Sequence, residues 1–242
     1  MSKIEIVEPM LFAGVVADEI ISTIEEAISE RGSCSISLAG GSTPGAIYRM
    51  LAKPPRVENV DWGKVKLFWG DERWVSQDDV QSNFKMVHET LLSQLGTSQP
   101  QVFAVDTSLE TPMQAAKHYA EVIQKELPND PRFDLMLLGI GEDGHTASLF
   151  PGAQVLRDKN PALCVATEQP EEKKPRISLS PRAILSSRRI LFLVKGEAKA
   201  DMVQRIIEGN ESVETLPACL YRDAQDHVYF FLDSAAALKL KR

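Results

Sequence analysis

The sequence predicts an α/β fold, a mostly parallel sheet with helices on both faces, and three observations carry that reading. Short apolar runs with the look of covered strands alternate with longer segments of helical period. Glycine-rich turns stand directly after several of the strand-like runs, where parallel sheets expose their loops. No internal repeat or low-complexity tract interrupts this grammar, so the 242 residues read as one α/β domain over 1–242.

Taken in order, Ile20, Ile21, Ile24, Ala27 and Ile28 recur at helical spacing between Asp18 and Arg31, and Gly32 is a natural stop. Cys34 to Ala39 alternates as a strand and runs into Gly40-Gly-Ser-Thr-Pro44, with Pro44 suited to the first turn of a helix through Tyr48 and Leu51. The pattern repeats as strand Lys64–Trp69, helix Ser82–Leu92, strand Gln101–Val105, helix Pro112–Leu127 and strand Phe133–Leu138. Thr146 to Phe150 reads as the start of another helix. Further strands are expected at Arg189–Val194 and His227–Leu232, each followed by a helix, with Gly209 capping the first and Asp233 starting the last. Glu168 to Pro175, polar and bracketed by prolines, reads as an exposed connection or flap.

Composition narrows the partners. A formal net charge of −7 and the lack of basic runs argue against nucleic acid and anionic membranes. An anionic ligand must therefore be held by local cations. Cys34, Cys164 and Cys219 are odd in number and lack metal-ligand spacing, so neither a disulfide framework nor a zinc site is implied. They read as buried thiols of a cytoplasmic protein. No apolar segment approaches membrane-spanning length, and the N-terminal stretch lacks the charge pattern of a signal peptide.

The densest chemical signal is Leu138-Gly-Ile-Gly-Glu-Asp-Gly-His-Thr-Ala-Ser-Leu-Phe-Pro-Gly152, which sets His145 among Glu142, Asp143 and three glycines just after a strand. Gly139, Gly141 and Gly144 satisfy G-x-G-x-x-G. A dinucleotide site is nonetheless disfavoured, because Glu142 and Asp143 would place carboxylates where a pyrophosphate must sit. Gly40 to Thr43 has the form of a phosphate cradle but lacks the Gly-Lys-Ser/Thr ending of a P-loop. Gly70-Asp71-Glu72-Arg73 follows a third strand, and the Arg73 guanidinium can grip a carboxyl or phosphoryl group bidentately. Arg176 and Lys199 supply further cations, Lys199 about one turn into a helix that begins near Gly196.

These segments, with Ser82-Asn83, Arg176-Ile-Ser-Leu179 and Gly196-Glu-Ala-Lys199, resemble the 6-phosphogluconolactonase family of the glucosamine/galactosamine-6-phosphate isomerase superfamily, in order and over nearly the whole chain. The chain departs from that pattern at Ser76, where a proline commonly stands. The resemblance implies a Rossmann-like fold shared with glucosamine-6-phosphate deaminase and ribose-5-phosphate isomerase. It also implies hydrolysis of 6-phospho-D-glucono-1,5-lactone with neither metal nor other cofactor. Imidazole is the side chain whose protonation changes near neutrality, so His145 is the expected general base for water and Asp143 its orienting partner. By resemblance, Arg73 faces the lactone or its developing charge, Asp71 belongs to the substrate-binding set, and Gly40, Gly41, Ser42, Thr43, Arg176 and Lys199 hold the phosphate. Two rivals follow. A glucosamine-6-phosphate deaminase would carry an Asn-Glu-Pro segment after the histidine, where this chain has Ser148-Leu-Phe-Pro151. A non-catalytic sugar-phosphate-binding regulator would not need both Asp143 and His145.

Overall fold

A computed structural model describes residues 2–128 and 131–241. The main sheet is built from β1 (Lys3–Val7), β2 (Cys34–Leu38), β3 (Val65–Trp69), β5 (Gln101–Phe103), β6 (Leu135–Leu138), β9 (Ile190–Val194) and β10 (Val228–Asp233). Its strands run in the order β1-β10-β9-β6-β2-β3-β5, every adjacent pair parallel. β2, β6 and β9 are buried along their whole length, which is why β6 and β9 are continuous apolar runs and why β2, though it alternates, does so with small serines in place of charged residues. The helices are α1 (Phe12–Arg31), α2 (Ser42–Leu51), α3 (Asn83–Thr90), α4 (Pro112–Glu126), α5 (Pro181–Leu185) and α6 (Ala200–Glu208). Gly32 ends α1 at φ 79°, a left-handed turn whose N–H reaches Ile28 O, and Ser82 and Thr111 cap α3 and α4 with their hydroxyls.

A second, antiparallel sheet of three strands in the order β4-β8-β7 is absent from the sequence reading. It comprises β4 (Asp71–Arg73), β7 (Cys164–Glu168) and β8 (Pro175–Leu179). The expected exposed connection from Glu168 to Pro175 is the turn of the β7–β8 hairpin, closed by Gln169 N–H to Lys174 O and Lys173 N–H to Gln169 O. β1 is a further unforeseen strand. It is an edge strand exposed at four of its five residues, and its apolar signal is only the short alternation of Ile4 and Ile6 with Lys3 and Glu5.

Two helix expectations fail. Thr146 to Phe150 is not helical: an isolated bridge joins Thr146 to Leu149, and Ala147 has φ 47°. Side-chain bonds take over the local backbone, with Thr146 Oγ1 donating to Gly139 O and Ser178 Oγ accepting from Ser148 N–H. After Asp233 the chain forms successive turns rather than a helix, although Asp233 Oδ1 does accept the Ala236 N–H in the manner of a cap. The three cysteines are free and buried, and burial pushes each thiol upward. No described helix is long and apolar enough to cross a membrane.

At the amino edge of the sheet Asp134 ties β2 to β6. Its carboxylate accepts the Ser35 N–H and hydroxyl, both at 2.8 Å, and the Arg31 Nε at 2.8 Å. Asp134→Ala leaves the Ser35 N–H without an acceptor and is expected to cost about 1–3 kcal/mol of stability in denaturant unfolding. The carboxyl ends of these strands, with their glycine-rich loops, lie at the other end of the sheet, so the folded variant should leave those loops unchanged. An unchanged midpoint would mean that water replaces the carboxylate there.

Candidate active site

Because all seven main strands are parallel, their carboxyl ends deliver loops to one edge. β2 leads to Gly40, β3 to Gly70 and β4, β6 to the Gly139–His145 turn, and β9 to a single 3₁₀ turn, Glu197–Lys199, just ahead of α6. Together with the β7–β8 hairpin they enclose a cleft of about 730 Å³. His145, Asp143, Asp71, Arg73, Arg176 and Lys199 all line it, as does Gly40. Gly41, Ser42 and Thr43 do not. They form the start of α2 behind Gly40, with Gly41 and Ser42 exposed and Gly41 at φ 102°.

The His145 ring is fixed from one side. Its Nδ1 lies 2.5 Å from Asp143 Oδ1, which also accepts the His145 N–H at 3.1 Å. Burial raises the Asp143 carboxyl, but these hydrogen bonds and the imidazole charge outweigh it and hold the group below the usual carboxylate range. Gly141 is required by space: a Cβ there would stand 2.1 Å from His145 Nδ1. Gly144, at φ 82°, makes the left-handed turn between the dyad partners. Phe150 packs its ring 4.9 Å from the imidazole, and Ala147, the non-glycine residue at φ 47°, also lines the cleft. No helix follows Gly144, so the glycine pattern lacks the helix N-terminus that a dinucleotide pyrophosphate uses.

Three cations line the same cleft. Arg73 and Arg176 are direct cross-strand partners in the small sheet, an arrangement that like charges disfavour. Arg73 donates to Gln81 O at 2.7 Å while its buried Nε has no hydrogen-bond partner, and Arg176 reaches only Pro175 O. Burial, and then the neighbouring Arg73 charge, press the Arg176 guanidinium below its ordinary value. Among the described residues, neither arginine nor Lys199 has a carboxylate partner. An anion between them would relieve the repulsion.

Sequence reasoning passed over Glu72. Only 3% exposed, it accepts N–H groups of Arg73, Asn83 and Phe84 at 2.7–2.8 Å and the Ser82 hydroxyl at 3.3 Å. Burial raises its carboxyl, against the pull of those N–H groups. It clamps β4 onto the start of α3, and Asn83 from that helix donates to Asp71 O at 2.9 Å and presses against Gly40, where a Cβ would meet its Oδ1 at 2.0 Å. Ser148 donates to Asp71 Oδ2 at 2.6 Å. The available signal was an acid one strand residue before the cleft arginine, followed downstream by a Ser-Asn helix start. Among the described residues, no group of three His, Cys, Asp or Glu side chains is placed to hold a metal ion.

Comparison with known proteins assigns the chain as a whole. Residues 8–230 match the family model described as glucosamine-6-phosphate isomerases/6-phosphogluconolactonase. The chain belongs to this family. A 6-phosphogluconolactonase of Synechocystis sp. is 33% identical over 226 residues, covering 92% of this chain and 91% of that protein. A crystal structure of 6-phosphogluconolactonase from Thermotoga maritima matches 97% of this chain and all of its own, with a TM-score of 0.81 and 30% identity. A monomeric glucosamine-6-phosphate deaminase, at 23% identity and a TM-score of 0.81, shares the fold. The Rossmann-like α/β architecture is thus common to both branches of the family.

Proposed function

We propose that this chain hydrolyses 6-phospho-D-glucono-1,5-lactone to 6-phospho-D-gluconate. The observation that carries the reading is the His145–Asp143 pair in a cleft also lined by Arg73, Arg176 and Lys199, none of which forms an ion pair with a carboxylate among the described residues. Relatives named 6-phosphogluconolactonase support it at 33–35% identity. With Nδ1 engaged by Asp143, the other ring nitrogen is available to take a proton from water as the water oxygen attacks the lactone carbonyl. The imidazolium, stabilised by Asp143, returns that proton to the ring oxygen as the C–O bond breaks. Arg73 faces the negative charge that develops on the carbonyl oxygen, and Arg176, Lys199 and Gly40, the one residue of the Gly40–Thr43 turn that lines the cleft, hold the phosphate dianion. Asp71, fixed by Ser148 and Asn83, is positioned to accept from a sugar hydroxyl.

The deciding experiment generates the lactone in situ with glucose-6-phosphate dehydrogenase and follows its loss with and without the protein, against spontaneous hydrolysis as background. No acceleration would refute the reading. Activity is expected to survive exhaustive chelation and to need no nucleotide. A loss on EDTA treatment that metal restores would show otherwise. Ammonia release from glucosamine 6-phosphate is expected to be absent, since Leu149 and Phe150 occupy the stretch where the deaminase pattern carries a glutamate. Ammonia at a rate comparable with lactone hydrolysis would favour the deaminase.

A further inference from the structure

Two acids on the cleft wall have no role in the scheme above. Glu142 and Glu171 line the same cleft as His145, and neither has a hydrogen-bond or ion-pair partner among the described residues. Their locations differ. Glu171 sits on the β7–β8 turn beside Glu172, whose carboxyl is held low first by Lys174 and further by the charges of Arg176 and Arg73. That places the hairpin tip at the arginine end. Glu142 stands between Gly141, whose N–H donates to His145 O at 2.8 Å, and Asp143, whose carboxylate grips the imidazole. It is therefore anchored at the end where the lactone opens.

Charge balance gives that position a meaning. Hydrolysis breaks the C1–ring oxygen bond, forms a bond from C1 to the water oxygen and releases one proton to solvent, so a neutral ester becomes a carboxylate while the phosphate is unchanged. Product exceeds substrate by one negative charge, and that charge appears at C1, next to His145. An unpaired carboxylate there acts on product and hardly at all on substrate. Discrimination between two ligands can come from repulsion of one as well as attraction of the other, and product departure often limits turnover.

We propose that Glu142 is a specificity-determining residue that weakens binding of the open-chain carboxylate relative to the lactone and so speeds product release. The proposal rests on the lactone-hydrolysis reading for the identity of the ligand. Its test compares 6-phospho-D-gluconate with D-glucitol 6-phosphate, the same open-chain phosphate bearing CH2OH in place of the C1 carboxylate, by calorimetric affinity for wild type and Glu142→Gln. The variant is expected to bind 6-phosphogluconate about 3–10-fold more tightly, the effect of removing a solvent-screened like charge from the neighbourhood of the new carboxylate. Its affinity for glucitol 6-phosphate should move by less than about twofold, since the neutral C1 group offers no charge to repel. Glu142→Asp, which keeps the charge, should keep the wild-type ratio of the two affinities and guards against a folding artefact in the amide variant. Equal tightening of both ligands, or no change in either, would overturn the proposal. Binding is read without turnover, so the two readings separate: a wild type that leaves the lactone untouched sinks the hydrolysis assignment. An active enzyme whose affinity ratio is insensitive to Glu142 sinks this inference alone.

Discussion

Replacing His145 with alanine is expected to lower kcat by about 10²–10⁴ while affinity for 6-phosphogluconate stays nearly unchanged, the usual loss when a general base is removed. The structure gives the reason for that split. His145 is held by Asp143 at 2.5 Å and shares no hydrogen bond with the arginine pair of the small sheet, so deleting the ring removes the proton acceptor without breaking a contact of those cations. Gly141 has no side chain to collapse into the vacated space, and Phe150 remains buried. Asp143→Asn should slow turnover too, because an amide cannot stabilise the imidazolium. The sign of the Asp143 shift adds a pH signature. A carboxyl held below its unfolded value of about 3.9 stabilises the fold above that pH and loses this contribution as pH falls through the depressed value. Asp143→Asn should therefore flatten the acid limb of the stability profile. A folded His145→Ala protein with near-normal turnover would remove the residue from the mechanism, and a fully active Asp143→Asn would reduce Asp143 to a turn residue.

Much of this was legible before any coordinates. β2, β6 and β9 announce themselves because a parallel strand covered on both faces is built of apolar or small residues, β3 departing from that only at half-buried Lys66, and the loops at their carboxyl ends carry the glycines and charges of the cleft. What the sequence hid has physical causes. β1 pairs on one side only and its exposed Lys3 and Glu5 give no apolar stripe. β4 is three charged residues long, and its strand character comes entirely from pairing with β8, a partner about a hundred positions away that no local pattern reveals. Thr146 to Phe150 looked helical because Ala, Leu and Phe fit a helix. Its conformation is instead decided by Thr146, Ser148 and Ser178 hydrogen bonds, and by Asp71 receiving Ser148. The same limit applies to the site. His145 and Asp143 are two residues apart and could be read together, whereas the opposition of Arg73 and Arg176 is a fact of sheet register.

That opposition frames the second large effect, which concerns Lys199. Arg176, pressed by its cross-strand neighbour Arg73, and the Lys199 ammonium at the start of α6, which has no carboxylate partner among the described residues, are cleft cations suited to a dianion. Charge-assisted hydrogen bonds are roughly twice as strong as neutral ones, so the phosphate should dominate affinity. Lys199→Ala is expected to raise KM for the phosphorylated lactone about tenfold or more, corresponding to roughly 1.5–3 kcal/mol for a hydrogen bond to a charged group. Unphosphorylated glucono-1,5-lactone should be a very poor substrate of the wild type, and the mutation should barely alter that residual rate, because no phosphate is there to contact. Measuring kcat/KM for both lactones in both proteins yields the coupling between lysine and phosphate directly. The arginine pair predicts a further asymmetry. With Lys199 gone, Arg73 and Arg176 still repel one another and still favour an anion, so the variant should keep a preference for the phosphorylated lactone, reduced but not abolished. A mutation that slows both lactones by the same factor would assign Lys199 to folding or to the chemical step, and would leave the phosphate to Arg176 and the Gly40 turn.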